Sequence, residues 1–192
     1  MSAERQSIGT ARLVLRAFRP EDAGDLYDYL SDGRVYQFEP GDPIDREQAG
    51  RMAADLAGSA DFWAVTLQAQ PKVIGQLFFK QTEPLHLLTW ELGYIMSPSF
   101  QRQGYGAEAA AALVSHAFQA KPIHRIVANC NPQNIASWKL LERIGFRREA
   151  LLRQSVYFRV DAAGEPLWTD TFVYARLRTE ALAANNLSGH SQ

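Results

Sequence analysis

One stretch constrains the fold of this chain more than any other: Glu91-Leu-Gly-Tyr-Ile-Met-Ser-Pro-Ser-Phe-Gln-Arg-Gln-Gly-Tyr-Gly-Ala-Glu108. A strand-like run, Trp90 to Met96, stops at Pro98, and after a short polar loop Gly104 and Gly106 open an Ala-rich helix. The first turn of a helix leaves backbone N–H groups without intrahelical partners, and the helix dipole adds partial positive charge there. Such an end suits phosphate or pyrophosphate, and glycine keeps Cβ atoms away from the ligand. The stretch predicts an α/β protein that holds a phosphorylated ligand by main-chain atoms.

Periodicity extends this to the rest of the chain. Ala11 to Phe18 alternates apolar and polar residues as a strand does. Pro20 to Leu30 reads as a helix with acids in its first turn, and Asp45 caps a second helix running to about Ala57. Between them lies a Gly/Pro-rich loop, Asp32 to Pro43, carrying Tyr36 and Phe38. Phe62 to Leu67 and Lys72 to Lys80 form a hairpin, and Leu85 to Met96 a central strand. The helix from Gly104 to about Gln119 buries a stripe of Ala110, Leu113, Val114, Ala117 and Phe118. His124 to Asn129 is a short strand. Asn131-Pro132 supplies the cap and first-turn proline of a helix ending at Gly145. Leu151 to Val160 and Leu167 to Leu177 close the chain as a hairpin whose apolar face suits a monomer or a homodimer. The order β-α-α-β-β-β-α-β-α-β-β predicts one mixed α/β sheet. A single domain is expected over 8–180, with 181–192 a disordered tail.

The 192 residues are enough for one well-packed domain. A formal net charge of −1 excludes a general nucleic-acid binder. No apolar run approaches the length of a membrane span, and the polar start lacks a secretory signal core. A single cysteine, Cys130, excludes an internal disulfide and predicts the cytoplasm. His86, His116, His124 and His190 show no ligand spacing, so no metal is expected.

The glycine loop has three readings: a plain helix entry, a dinucleotide turn, and a coenzyme A cradle. Gly104-Tyr-Gly-Ala-Glu-Ala109 nominally fits G-x-G-x-x-A, but too many loop residues follow the strand and the next strand ends in Asn129-Cys130 instead of an acid. Gln101-Arg-Gln-Gly-Tyr-Gly106, with Gly-Tyr-Ile-Met-Ser-Pro before it and Asn134-Ile-Ala-Ser-Trp-Lys-Leu-Leu-Glu-Arg-Ile-Gly-Phe146 after it, resembles the GNAT superfamily of N-acetyltransferases. The likeness covers about Ala11 to Leu177. It looks closest to the branch acetylating N-terminal alanine of ribosomal proteins, through Thr10-Ala-Arg-Leu-Val-Leu-Arg and Asp170-Thr-Phe-Val-Tyr-Ala-Arg-Leu.

The resemblance implies a mostly antiparallel sheet splayed at a cofactor cleft, with helices on both faces. It implies acetyl-coenzyme A as co-substrate and an amine acceptor, either a protein or peptide N-terminus or a small amine. A coenzyme A sensor without turnover is the non-enzymatic alternative. By the same similarity, the main chain of Ile95, Met96 and Ser97 pairs with the pantetheine arm. The N–H groups of Arg102, Gln103, Gly104, Tyr105, Gly106 and Ala107 hold the pyrophosphate. Asn134 bonds the pantetheine and Ser137 stands near the thioester sulfur. Family members often carry a proton-donating tyrosine four residues after Ser137; here that position is Leu141. Glu91, a carboxylate in an otherwise apolar strand, is the expected base, its bland alternative being an ion pair with Arg125. Trp63, Trp90, Trp138 and Trp168 are expected in the core. A narrow acidic pocket would point to a polyamine or aminoglycoside, an open groove beside the final hairpin to a peptide terminus.

Overall fold

The computed structural model describes residues 6–181. Eight strands form one sheet in the order β1-β2-β3-β4-β5-β6-β8-β7. They are β1 (Ile8–Gly9), β2 (Leu13–Arg16), β3 (Phe62–Leu67), β4 (Val73–Gln81), β5 (Thr89–Met96), β6 (Arg125–Cys130), β7 (Arg147–Val156) and β8 (Thr169–Leu177). Every neighbouring pair is antiparallel except β5 and β6. That parallel pair needs a crossover, supplied by helix α3 (Tyr105–Ala120).

Helices cover both faces. Helices α3 and α4 (Ile135–Arg143) lie over a core of Leu13, Leu15, Leu77, Leu92, Leu113, Val114, Ile126 and Leu141. Helices α1 (Ala23–Leu30) and α2 (Arg46–Ala57) cover the other face through Phe18, Leu26, Tyr29, Leu56 and Val73. Asp45 caps α2 as its position predicts, its side chain accepting from Gln48 N while Gln48 reaches back to Asp45 N. Entry to α1 is fixed by Asp22, buried at 6% exposure, which takes two hydrogen bonds from Arg16 at 2.8 and 2.7 Å and one from Arg19 N.

Four boundaries differ from the sequence reading. Leu85–Leu87 is a 3-10 turn followed by Leu88 in the left-handed region at φ 51°, so the central strand begins at Thr89. Asn131 makes a local turn, its Oδ1 accepting from Gln133 N, and the cap of α4 is Asn134. The last hairpin starts earlier than expected, at Arg147, and a two-residue strand, β1, precedes the first predicted one. Trp168 is not core: it is 52% exposed, edge-on to Tyr157. Ala181, the first residue of the expected tail, is buried in the core instead, and 182–192 lie outside the described residues. Among the described residues no helix is long and apolar enough to cross a membrane.

Candidate active site

The parallel pair positions the site. β5 and β6 are in register only from Thr89–Glu91 against Arg125–Val127. Beyond that they part, and Leu92 to Met96 stays paired only with β4. A slot opens through the middle of the sheet. Just past β5, Ser97 N–H donates to Ile74 O at 2.9 Å, and Ser97 O accepts from Phe100 N at 2.9 Å. Ser97 is thus committed on both backbone groups, which corrects the expectation that it pairs with a pantetheine arm. Successive strand residues turn their N–H and C=O to opposite edges. Ile95, in register with Gln76, therefore serves β4, while the main chains of Tyr94 and Met96 face the slot, Met96 O accepting there from Gln101 Nε2 at 3.1 Å. Of Ile95, Met96 and Ser97, only Met96 thus has its main chain toward the slot, because the edge a residue serves is set by the pairing.

Past β5 the chain makes a 3-10 turn, Pro98–Phe100, and enters α3 through Gly104 at φ +83°. Only glycine adopts that conformation without strain. Arg102 is also left-handed, at φ 60°. The first intrahelical bond is Glu108 N to Gly104 O. The N–H groups of Arg102, Gln103, Gly104, Tyr105, Gly106 and Ala107 meet no acceptor among the described residues. Gly106 has a packing role too, since a Cβ there would lie 3.1 Å from Leu140 Cδ1.

Beside this helix entrance lies a cavity of about 580 Å³ lined by Arg12, Arg102, Gln103, Gly104, Ala107 and Arg143 among others. Arg12 was not expected from sequence. It bonds Glu108 Oε2 at 2.7 Å and Gln103 O at 3.1 Å, and lies 4.4 Å from the Tyr105 ring centre. Burial disfavours the charge on Glu108, but bonds from Thr10 and Arg12 outweigh it and hold that carboxyl below its ordinary range. Three guanidinium groups and a row of free N–H groups match a nucleotide diphosphate with a further phosphate, the charged half of coenzyme A.

The slot leads to a second cavity of about 350 Å³. Tyr94, Cys130, Asn134 and Ser137 line it from β5, β6 and α4; Leu152, Ser155, Phe158 and Asp170 from the last hairpin; Phe38 and Glu39 from the loop after α1. Asn134 Oδ1 accepts from Ser137 N at 3.1 Å, so Asn134 caps α4 and lines the cavity at once. Ser137 Oγ is 2.8 Å from the Tyr94 hydroxyl, which also donates to Ser137 O at 3.1 Å. Burial raises the Tyr94 pKa, so this phenol stays protonated at neutral pH. Tyr94 places a hydroxyl in the slot where Leu141, fully buried in the core, cannot. Burial also raises the Cys130 thiol, which makes it a poor nucleophile.

Glu91 is less direct than its sequence position suggests. It is half-buried, shares the face of Gly93, and accepts from Asn129 Nδ2 at 3.2 Å. Asn129 lines the cavity and Glu91 does not. Arg125 pairs instead with Glu149 at 2.6 Å. Among the described residues there is no cluster of His, Cys, Asp or Glu able to hold a metal ion.

Known proteins agree with this geometry. The family model for the acetyltransferase (GNAT) domain matches residues 12–147. An uncharacterized N-acetyltransferase of Bacillus subtilis is 32% identical over 174 residues, covering 90% of this chain and 98% of that one. The alanine N-acetyltransferase of ribosomal protein uS5 from Escherichia coli is 29% identical over 165 residues, 80% of this chain and 84% of that one. The crystal structure of a GNAT acetyltransferase from Bacillus anthracis superposes with a TM-score of 0.82 at 28% identity, over 91% of this chain and all of the other. A splayed parallel pair, a bare helix entrance and a basic cavity beside it thus meet a family match over most of the chain, and this protein belongs to the GNAT family as an acetyl-coenzyme A dependent N-acetyltransferase.

Proposed function

We propose that the enzyme acetylates the amino terminus of a peptide or protein by direct attack of the amine on the thioester. The observation that carries this reading is the open apolar wall of the second cavity. Leu152 and Phe158 line it while remaining 47% and 40% exposed, and they belong to a hairpin whose β7 is the sheet edge. A peptide's first residues would bury that wall and run beside a free strand edge, whereas a small polar amine would leave it wet. The likeness to the uS5 alanine acetyltransferase points the same way and favours a cytoplasmic setting.

In this reading acetyl-coenzyme A supplies an acetyl group already activated as a thioester. The N–H groups from Arg102 to Ala107, with Arg12, Arg102 and Arg143, hold its phosphates. The main chain of Tyr94 and the N–H of Met96 align the pantetheine, joined by Asn134. One of these N–H groups faces the carbonyl oxygen, and such a donor is worth about 3 kcal/mol in related chemistry. Ser137, bonded to Tyr94, stands where the departing sulfur takes a proton, in place of the tyrosine replaced by Leu141. Glu91 orients Asn129 at the cavity wall and reaches the amine at most through a water.

The test is acetyl transfer to a library of peptide N-termini and small amines, read by mass spectrometry. Peptides with a small first residue should exceed polyamines and aminoglycosides by about tenfold or more in kcat/KM. Preference for a polyamine would overturn the peptide assignment.

A further inference from the structure

Glu39 lies in the loop between α1 and α2, where no motif marks it, yet it reaches the wall of the second cavity. Two anchors fix its loop. The Tyr36 hydroxyl donates to Leu30 O at 2.9 Å, and Arg159 Nη2, from the last hairpin, donates to Tyr36 O at 2.9 Å. Among the described residues the Glu39 carboxylate accepts no hydrogen bond and makes no ion pair, in contrast to Glu91.

We infer that Glu39 is the group that directly takes the proton of the incoming amine. This rests on the reading of the second cavity as the acceptor site. An α-ammonium group has a pKa near 8, so its proton must be removed before nitrogen can attack. Glu39 takes that proton. The nitrogen lone pair then forms the amide bond as the carbon–sulfur bond breaks. The second proton leaving nitrogen is balanced by the one the free thiol carries away, and Glu39 returns its own to solvent.

The surroundings fit the role. Burial pushes the Glu39 carboxyl up to about 7, close to the operating pH that suits a general base. The titratable groups sharing the cavity are Tyr94 from β5, Cys130 from β6 and Asp170 from β8. Tyr94 and Cys130 have raised pKa values and are neutral at pH 7. Asp170 accepts from Gln154 N at 2.8 Å, and Arg159 is turned to the carbonyls of Tyr36 and Phe158. Among the described residues no cation holds Glu39 ionised below neutrality.

The test compares Glu39→Gln, Glu39→Asp and Glu91→Gln, using whichever amine of the panel the wild type acetylates. Glu39→Gln should lower kcat/KM at pH 7 by about 100-fold or more and remove the acidic limb expected near pH 7. Coenzyme A affinity by calorimetry should be unchanged, and Glu39→Asp should recover part of the rate. Glu91→Gln should keep the limb. Loss of the limb in Glu91→Gln alone, or a Glu39→Gln enzyme within about threefold of wild type, would overturn the inference. A second readout needs no acceptor: the carboxyl infrared signal lost in Glu39→Gln should titrate near 7 in the wild type. Titration near the ordinary value of about 4.3 would also overturn it. A small-amine specificity would defeat the peptide reading while leaving these comparisons intact.

Discussion

The two halves of the proposed active site are built in opposite ways. The proposed phosphate end centres on one contiguous piece of chain, Met96 to Ala107, whose N–H groups the helix itself cannot satisfy, with Arg12 and Arg143 added at its rim. The acceptor end draws on the loop at Phe38 and Glu39, the divergence of β5 from β6, the start of α4 and the last hairpin. One half would rely mainly on backbone, helped by a few arginines, to hold the co-substrate. The other uses side chains from distant segments, and a change in any of them reshapes the cavity. The co-substrate end is therefore expected to be intolerant of backbone change, and the acceptor end to be tunable.

Gly104→Trp tests the rigid half most severely. A φ of +83° disfavours any side chain, and the indole would stand over the free N–H row beside Arg12. Acetyl-coenzyme A binding by calorimetry should fall by about 100-fold or more with circular dichroism unchanged, and retained affinity would break the contrast between the halves. Gly75→Val comes next. A Cβ there would lie 2.6 Å from Ile95 O and 2.7 Å from Met96 Sδ, so β5 must shift at the edge of the slot. Stability should drop by about 2 kcal/mol in urea, and coenzyme A affinity should fall with it.

On the acceptor side, Phe158→Ala should raise the KM for peptide about fivefold to tenfold and leave coenzyme A affinity alone. An equal effect on both substrates would show that the two ends are mechanically coupled. The smallest change expected is from Glu108→Gln, which loosens the clasp from Thr10 and Arg12 onto α3. Because the Glu108 carboxyl is lowered in the folded protein, its contribution is complete above the ordinary glutamate range and is lost as pH falls below it. Thermal melts should show a loss of about 1 kcal/mol at pH 7 that shrinks as the pH falls through the lowered carboxyl range. A loss that stays constant as the carboxyl protonates would place the clasp's energy in packing.

Local signals were legible where local physics decides. β3 matches its predicted range, Asp45 caps α2, and the glycine-led entrance to α3 lies where its residues point. Errors arose where partners decide. Ser97 reads from sequence as available, but its N–H serves Ile74 O, and Asn131 resembles a helix cap, but Asn134 holds Ser137 N. Glu91 drew attention as an acid in an apolar strand, whereas Glu39, in a polar loop, looked ordinary. Trp168 illustrates the converse: an aromatic residue expected inside lies on the exposed face of the hairpin.

The order of residues alone was enough for the family, the co-substrate and the strand–loop–helix proposed to grip phosphates, because those depend on periodicity and on backbone groups close in the chain. Which carboxylate enters the acceptor cavity, which edge of β5 is free, and that Tyr94 meets Ser137 were decided by tertiary structure. These follow from where β5 and β6 separate and how the loop after α1 is pinned to the last hairpin, relations between segments as far apart as Tyr36 and Arg159 that no local pattern encodes.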